Sequence, residues 1–141
     1  MKPVSGVRLV GMEDLQDTLK SVLPREAKNI LRRTTFGVAG IVTDKIKARA
    51  PRRSGKYAKA IKRKRNRGSK TVIESSVVAE TGKNQHGFKA HWLEFGTVKM
   101  GAQPHIVPAV EEIRPGIEGI YRKEFGEQYE REMAKRNKKR K

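Results

Sequence analysis

Three histidines are the side chains best suited to metal or acid–base chemistry in this sequence. His86 and His91 lie five residues apart, which is not the i, i+4 spacing that puts two ligands on one helix face. The sequence contains no cysteine, and no carboxylate cluster accompanies the histidines. We therefore predict no metal ligand and interpret the histidines as ordinary surface or hydrogen-bonded residues.

Nucleophilic catalysis also lacks a suitable arrangement of residues. Ser54 does not stand in a G-x-S-x-G context, and no G-x-x-x-x-G-K-[ST] loop is present to bind phosphates. Glu94 lies between apolar neighbours and is the one acid in a position that suggests a function. We favour a charge at a strand edge, or a partner for Arg or Lys, over catalysis. The sequence predicts a non-enzymatic protein with no catalytic residue and no cofactor.

Positive charge is the strongest chemical feature of the chain. The formal net charge is +18, and thirteen Lys or Arg residues with no acid fall between Lys45 and Lys70. Such a run attracts polyanions, but the region has a single aromatic, Tyr57, and no motif for reading bases. A solvated basic face, contact with DNA and contact with an acidic subunit all stay open. The candidate partner-facing residues are Arg52, Arg53, Lys56, Lys59, Lys62, Arg63, Lys64, Arg65 and Arg67.

A glycine-flanked arm over Thr97–Gln103 is the second candidate. It follows the only Trp and exposes Val98 and Met100 in a polar loop. One interpretation is a plain surface loop, and the other is a contact between subunits. The candidate interface residues are Glu94, Thr97, Val98, Lys99, Met100, Gln103 and His105.

The elements that must position these residues begin with a predicted edge strand over Val4–Val10 and a helix over Glu13–Leu23. The longest helical pattern covers Arg25–Ala50 and ends at Pro51. Gly37 and Gly40 within it indicate the close approach of a neighbouring element, with a kink as the alternative.

The middle of the chain predicts an antiparallel sheet. Tyr57–Ile61 fits either a helical turn or a strand start, and Arg67-Gly68-Ser69 reads as a hairpin tip. The β-branched run Thr71–Ala79 predicts a strand, and Phe88–Phe95 predicts its partner strand, buried from Ala90 onward.

The last part of the chain predicts a helix that opens at Pro108, with a kink or a second helix at Pro115-Gly116. Lys135–Lys141 has too few apolar residues to bury and is predicted to be disordered or ordered by a partner. The expected fold class is α+β, a small antiparallel β-sheet packed against a long N-terminal helix and a kinked C-terminal helix. We expect one domain over residues 1–134 and a basic tail over 135–141.

The N-terminal residues lack the apolar core of a signal peptide, and no apolar run approaches the ~20 residues of a membrane span. We expect the protein to be made and kept in the cytosol until it joins a larger particle.

Several short motifs occur in an order that is typical of one protein family. Departures from its pattern are Ser54 in place of Thr, His105 in place of an aromatic such as Phe, and the basic tail after Met133. The matching runs are Gly11-Met12-Glu13-Asp14-Leu15, Ala48-Arg49-Ala50-Pro51, Ser54-Gly55, Ala60-Ile61, Glu94-Phe95-Gly96-Thr97, Ala102-Gln103-Pro104-His105 and Pro108-Ala109.

Over Val4–Phe125 the chain therefore resembles the tail-component or tail-completion (neck) proteins whose type member is the gene-ten product of a lambdoid phage. The resemblance implies a structural virion protein of the head–tail junction. It implies a ring of six or twelve copies between the head-side connector and the tail terminator or tube, with DNA passing through it. The alternative is a free basic nucleic-acid-binding protein associated with the nucleoid or the ribosome.

Overall fold

The computed structural model describes residues 24–68, 72–83 and 86–140 of the 141-residue chain. The predicted strand over Val4–Val10 and helix over Glu13–Leu23 lie outside the described residues. In chain order the elements are α1 (Pro24–Arg49), α2 (Lys56–Ala60), β1 (Ile61–Arg65), β2 (Ser75–Ala79), α3 (Lys89–Phe95), α4 (Ile106–Ile113), a 3-10 turn (Arg114–Gly116) and α5 (Ile117–Lys139).

Helix α1 is the central element, and β1, β2, α4 and α5 all pack against it. It runs without interruption through Gly37 and Gly40, which confirms the close-approach interpretation of these glycines. A Cβ at Gly40 would lie 2.6 Å from Nη1 of Arg63, and one at Gly37 would collide with the carboxylate of Glu124. The small residues therefore leave room for the ends of the Arg63 and Glu124 side chains against α1.

Strands β1 and β2 form an antiparallel pair, in register from Ile61 opposite Ala79 to Arg65 opposite Ser75. The strand predicted over Thr71–Ala79 is thus shorter, and Ser69 and Thr71 of the predicted hairpin lie outside the described residues. Of the two interpretations of Tyr57–Ile61, the helical turn holds until Ala60 and the strand begins at Ile61.

The prediction that Phe88–Phe95 is the partner strand is wrong. Lys89–Phe95 is helix α3, and β2 pairs with β1 instead. Trp92 and Phe95 are 48% and 65% exposed, whereas Glu94 is buried. A short apolar and aromatic run fits either period, and here the helix turns Glu94 inward.

The C-terminal part consists of two consecutive helices joined at Pro115-Gly116, as one of the two predicted alternatives had it. Helix α4 begins at Ile106, two residues before the predicted start at Pro108. The last helix continues to Lys139, so residues 135–139 are helical, where the sequence predicted a tail that is disordered or ordered by a partner. The domain boundary at residue 134 stays a prediction.

The core lies where the C-terminal end of α1 meets α2, β1 and α4. Its buried cluster comprises Ile46, Ala50, Tyr57, Ile61 and Ala109, with Leu93 of α3 packed against it. These elements confirm the α+β class, with long helices at both ends of the described chain and a two-stranded antiparallel sheet between them.

No helix in the described ranges has the length and apolar content needed to cross a bilayer.

Candidate functional site

A carboxylate from α3 holds the start of α4 in place. Glu94 Oε2 accepts hydrogen bonds from the backbone N–H groups of His105 and Ile106 at 2.9 and 3.0 Å, and Oε1 accepts one from Val107 at 2.9 Å. The next residue, Pro108, has no N–H to donate. The N–H groups that a helix start leaves without partners are therefore all accounted for.

The environment of Glu94 favours its charged form. Burial raises the pKa of this carboxyl, but the three backbone donors outweigh that effect and lower the pKa below its usual value. A charged carboxylate also complements the positive end of the helix dipole. Glu94 is thus a capping residue for a helix that begins 12 residues later in the sequence.

His105 is fully buried and links this cap to the core. Its Nδ1 lies 3.1 Å from the carbonyl oxygen of Gln103 and 3.3 Å from Glu94 Oε2. Both atoms are acceptors, so Nδ1 carries the proton, and in the neutral ring Nε2 accepts the Tyr57 hydroxyl at 2.6 Å. Burial, and then the charge of Glu94, raise the pKa of Tyr57 to about 12, which keeps the hydroxyl protonated as a donor.

The arm is a tight loop fixed at its base. Thr97 and Met100 exchange backbone hydrogen bonds, and Gln103 N–H donates to the carbonyl of Leu93 at 2.7 Å. Gly96 has a φ of 76°, and a Cβ there would lie 2.8 Å from the backbone nitrogen of Ala102. Val98 is fully exposed at the tip, with Lys99 beside it.

Among the predicted interface residues, the structure separates two groups. Thr97, Val98, Lys99 and Gln103 are exposed and Met100 is half-buried, so the arm itself can contact a neighbour. Glu94 and His105 are buried within the subunit and position the arm from behind. Sequence reasoning missed this cap. Its signal is an acid inside an apolar run, followed later in the sequence by a helix start whose N–H groups have no side-chain cap of their own.

Beside the arm lies a groove of about 300 Å³, here named the α3 groove. Pro51, Trp92, Leu93 and Met100 form its apolar lining, and Arg53 and Lys89 add two cations. Trp92 packs edge-on against Phe88 with ring centroids 5.5 Å apart, and both rings are about half exposed. The result is an open apolar surface bordered by positive charge.

Outside the α3 groove, several charged side chains of the long helices form ion pairs. Glu112 accepts hydrogen bonds from Lys45 and Arg49, which lower its pKa to about 2. Glu132 pairs with Arg33, and Glu26 lies 3.7 Å from Arg136. The acids of α1, α4 and α5 therefore neutralise part of the positive charge of the long helices.

The predicted partner-facing cations show a different pattern. Arg63 and Arg65 lie 4.0 and 4.5 Å over the ring of Phe36 on α1, and Lys62 pairs with Glu80. The other six are exposed, and within the described chain no carboxylate lies in ion-pairing range of any of them. We name these six the basic surface: Arg52, Arg53, Lys56, Lys59, Lys64 and Arg67.

No group of His, Asp or Glu in the part of the chain that the structure describes could hold a metal ion. The Tyr57–His105–Glu94 series is buried, and its high tyrosine pKa argues against a nucleophile.

A family model described as "Bacteriophage HK97-gp10, putative tail-component" matches residues 13–96, more than half of the chain. The chain belongs to this family of phage tail components. Searches of curated proteins and of solved structures found no match. As a tail component, it is a structural protein of the phage particle that contacts other phage structural proteins. The matched range includes α1, the basic surface, α3 and the capping carboxylate.

Proposed function

We propose that this tail component is a neck or tail-completion subunit of the head–tail junction. It forms a ring of six or twelve copies that docks between the head-side connector and the tail terminator or tube, and DNA passes through that ring. The arm over Thr97–Gln103 contacts the adjacent subunit. Family membership supports the phage role, and the separation of paired from unpaired charge supports the DNA-facing surface.

The unpaired basic surface is the observation that carries the proposal. Protein interfaces combine an apolar centre with a polar rim, whereas contacts with the DNA backbone need only cations placed to displace counterions. The large exposed apolar side chains of the described chain cluster on α3, the arm and the start of α4, with Val72 as the exception. We therefore assign the α3 side, with Arg53 at the border of its groove, to protein contacts and the other five residues of the basic surface to double-stranded DNA.

The decisive experiment is assembly without the protein. A phage that lacks this gene should accumulate DNA-filled heads and finished tails that stay unjoined, and adding the purified protein to the extract should restore complete particles. If such a mutant still produces joined virions, the head–tail junction role is lost.

The DNA contact has its own test. Reversing Arg52, Lys56, Lys59 and Lys64 to Glu should weaken binding to random duplex DNA and flatten its dependence on salt concentration. A matched variant reverses four exposed cations elsewhere, Arg25, Arg32, Arg114 and Lys123, and changes net charge equally. Equal losses in both variants would show diffuse attraction and remove the assigned surface. Tight DNA binding by a lone monomer that joins no particle would favour the free nucleic-acid-binding alternative.

A further inference from the structure

The α3 groove has the chemistry of a peptide-binding site. Its apolar lining can cover one or two aliphatic side chains, and Arg53 and Lys89 can pair with carboxylates at its border. Glu94 directly follows the groove residue Leu93 in sequence, but its carboxylate is buried in the helix cap and accepts hydrogen bonds at the start of α4. The groove therefore selects a segment that is both acidic and amphipathic.

Such a segment occurs in this chain. Met12–Leu19 places Glu13, Asp14 and Asp17 among Met12, Leu15 and Leu19, with no basic residue inside it. In a chain of net charge +18, this run has the composition that the groove would bind. It precedes α1, outside the described residues, and its anchor point is the start of α1 at Pro24.

The length of α1 determines whether the segment can reach the groove of its own subunit or only the groove of another copy. Helix α1 has 26 residues and spans about 39 Å, and the groove begins at Pro51, beyond its far end. Leu15 precedes Pro24 by nine positions, a reach of at most about 32 Å for fully extended chain. A helix over Glu13–Leu23, as the sequence predicts, would reach less far. Leu15 therefore cannot fill the groove of its own subunit.

We propose that the acidic segment Met12–Leu19 of one subunit docks in the α3 groove of the next copy. This inference rests on the proposed ring. The segment is joined in sequence to the start of α1, whereas the groove lies beyond the end of α1. A contact between two copies therefore joins two different surfaces, and such a head-to-tail contact closes into a ring when the rotation allows. It also places negative charge between subunits that would otherwise repel one another.

A peptide titration tests the groove directly. A fluorescently labelled peptide of residues 11–23 should bind the full chain saturably and should weaken as salt rises. Arg53→Glu with Lys89→Glu should weaken binding at least about tenfold, because two attractive pairs become repulsive. The matched control, Arg25→Glu with Arg32→Glu, should bind as the unmodified chain does. Absence of saturable binding, or an equal loss in the control, would overturn the proposal.

Mixing two variants tests whether the contact joins separate copies. One variant carries Arg53→Glu and Lys89→Glu, and the other carries Glu13→Lys, Asp14→Lys and Asp17→Lys. Each alone should fail to oligomerise by native mass spectrometry, because like charges then meet at every contact. An equimolar mixture should recover oligomers, since each reversed surface finds its complement.

The two experiments separate this inference from the ring itself. If the unmodified chain forms rings and the reversed variants assemble equally well, the docking contact is wrong and the ring survives. If the peptide binds the groove but particles show no ring of this protein, the ring is wrong and the groove's preference for the segment survives.

Discussion

The hydroxyl of Tyr57 lies 2.6 Å from Nε2 of His105, across 48 residues of sequence. The rings meet edge to face with centroids 5.4 Å apart. Through His105 the core cluster is connected to the Glu94 cap and the base of the arm. An exposed arm is thereby anchored on a buried polar network, so its position depends on residues that are buried within the subunit.

Removing the hydroxyl tests this connection. Tyr57→Phe should destabilise the protein by about 1–3 kcal/mol, because it leaves the buried Nε2 of His105 without a partner. The measurement is urea unfolding followed by circular dichroism. Tyr129→Phe, on the half-buried face of α5, serves as the comparison. Equal, small effects of both changes would mean that the Tyr57–His105 bond contributes no stability.

Alkaline titration gives a second test of Tyr57. Because its folded pKa is raised to about 12 from 10.0, the stabilisation is fully present below pH 10 and is lost as the pH rises through 12. Difference absorbance between the unmodified chain and Tyr57→Phe should place this tyrosine's ionisation near 12. Ionisation of this tyrosine near pH 10 in the folded protein would contradict the buried hydrogen bond.

The Glu94 cap should be sensitive to loss of charge. Glu94→Gln should cost about 1–2 kcal/mol in free energy of unfolding, because one carboxylate oxygen is replaced by an NH₂ group that faces backbone N–H donors. Glu111→Gln, at an exposed position of α4, the helix that Glu94 caps, should change stability by less than about 0.5 kcal/mol. Comparable values for the two variants would show that α4 does not need the cap.

The same cap predicts acid sensitivity. The pKa of Glu94 is lowered from the usual 4.5, so its stabilisation is complete above that value and is lost as the pH falls through the lower folded pKa. Urea midpoints measured from pH 7 down to pH 2 should show the unmodified chain converging on Glu94→Gln below pH 4.5. A stability difference that stays constant with pH would rule out a charged cap.

Gly96, directly before the arm, and Gly101, within it, form a matched pair of substitution sites. Gly96→Ala should destabilise by about 1–2 kcal/mol, since its φ of 76° is unfavourable for alanine and the new Cβ would meet the Ala102 backbone. At Gly101 an added Cβ meets no atom within 4 Å, so Gly101→Ala should be neutral or slightly stabilising. Thermal unfolding of both variants provides the measurement, and a reversed order would show a different arm conformation.

Val98, at the tip of the arm, should affect assembly but not the stability of the subunit. Val98→Asp alters a fully exposed side chain, so unfolding free energy should change by less than about 0.5 kcal/mol while ring formation and complementation of mutant extracts decline. Ala134→Asp, exposed near the far end of α5, should leave assembly intact. Normal assembly of the Val98 variant would remove the arm from the subunit contact.

The sequence by itself determined the features that depend on composition and on long periodic patterns. The net charge, the acid-free run over Lys45–Lys70 and the 26-residue helix α1 follow directly from residue types and spacing. The ordered motifs predicted the family, which the match over residues 13–96 confirms. These properties are local or additive, so no tertiary contact is needed to read them.

The tertiary structure alone decided the role of the Ala90–Phe95 run. This six-residue run has four apolar or aromatic side chains and fits a strand as well as a helix. In the structure it is helical, and its Glu94 accepts hydrogen bonds from the start of α4. The pairing of β1 with β2, the burial of His105 and the separation of paired from unpaired cations likewise depend on residues distant in sequence. Short-range pattern carries no information about such partners, because contact energies between distant segments select them.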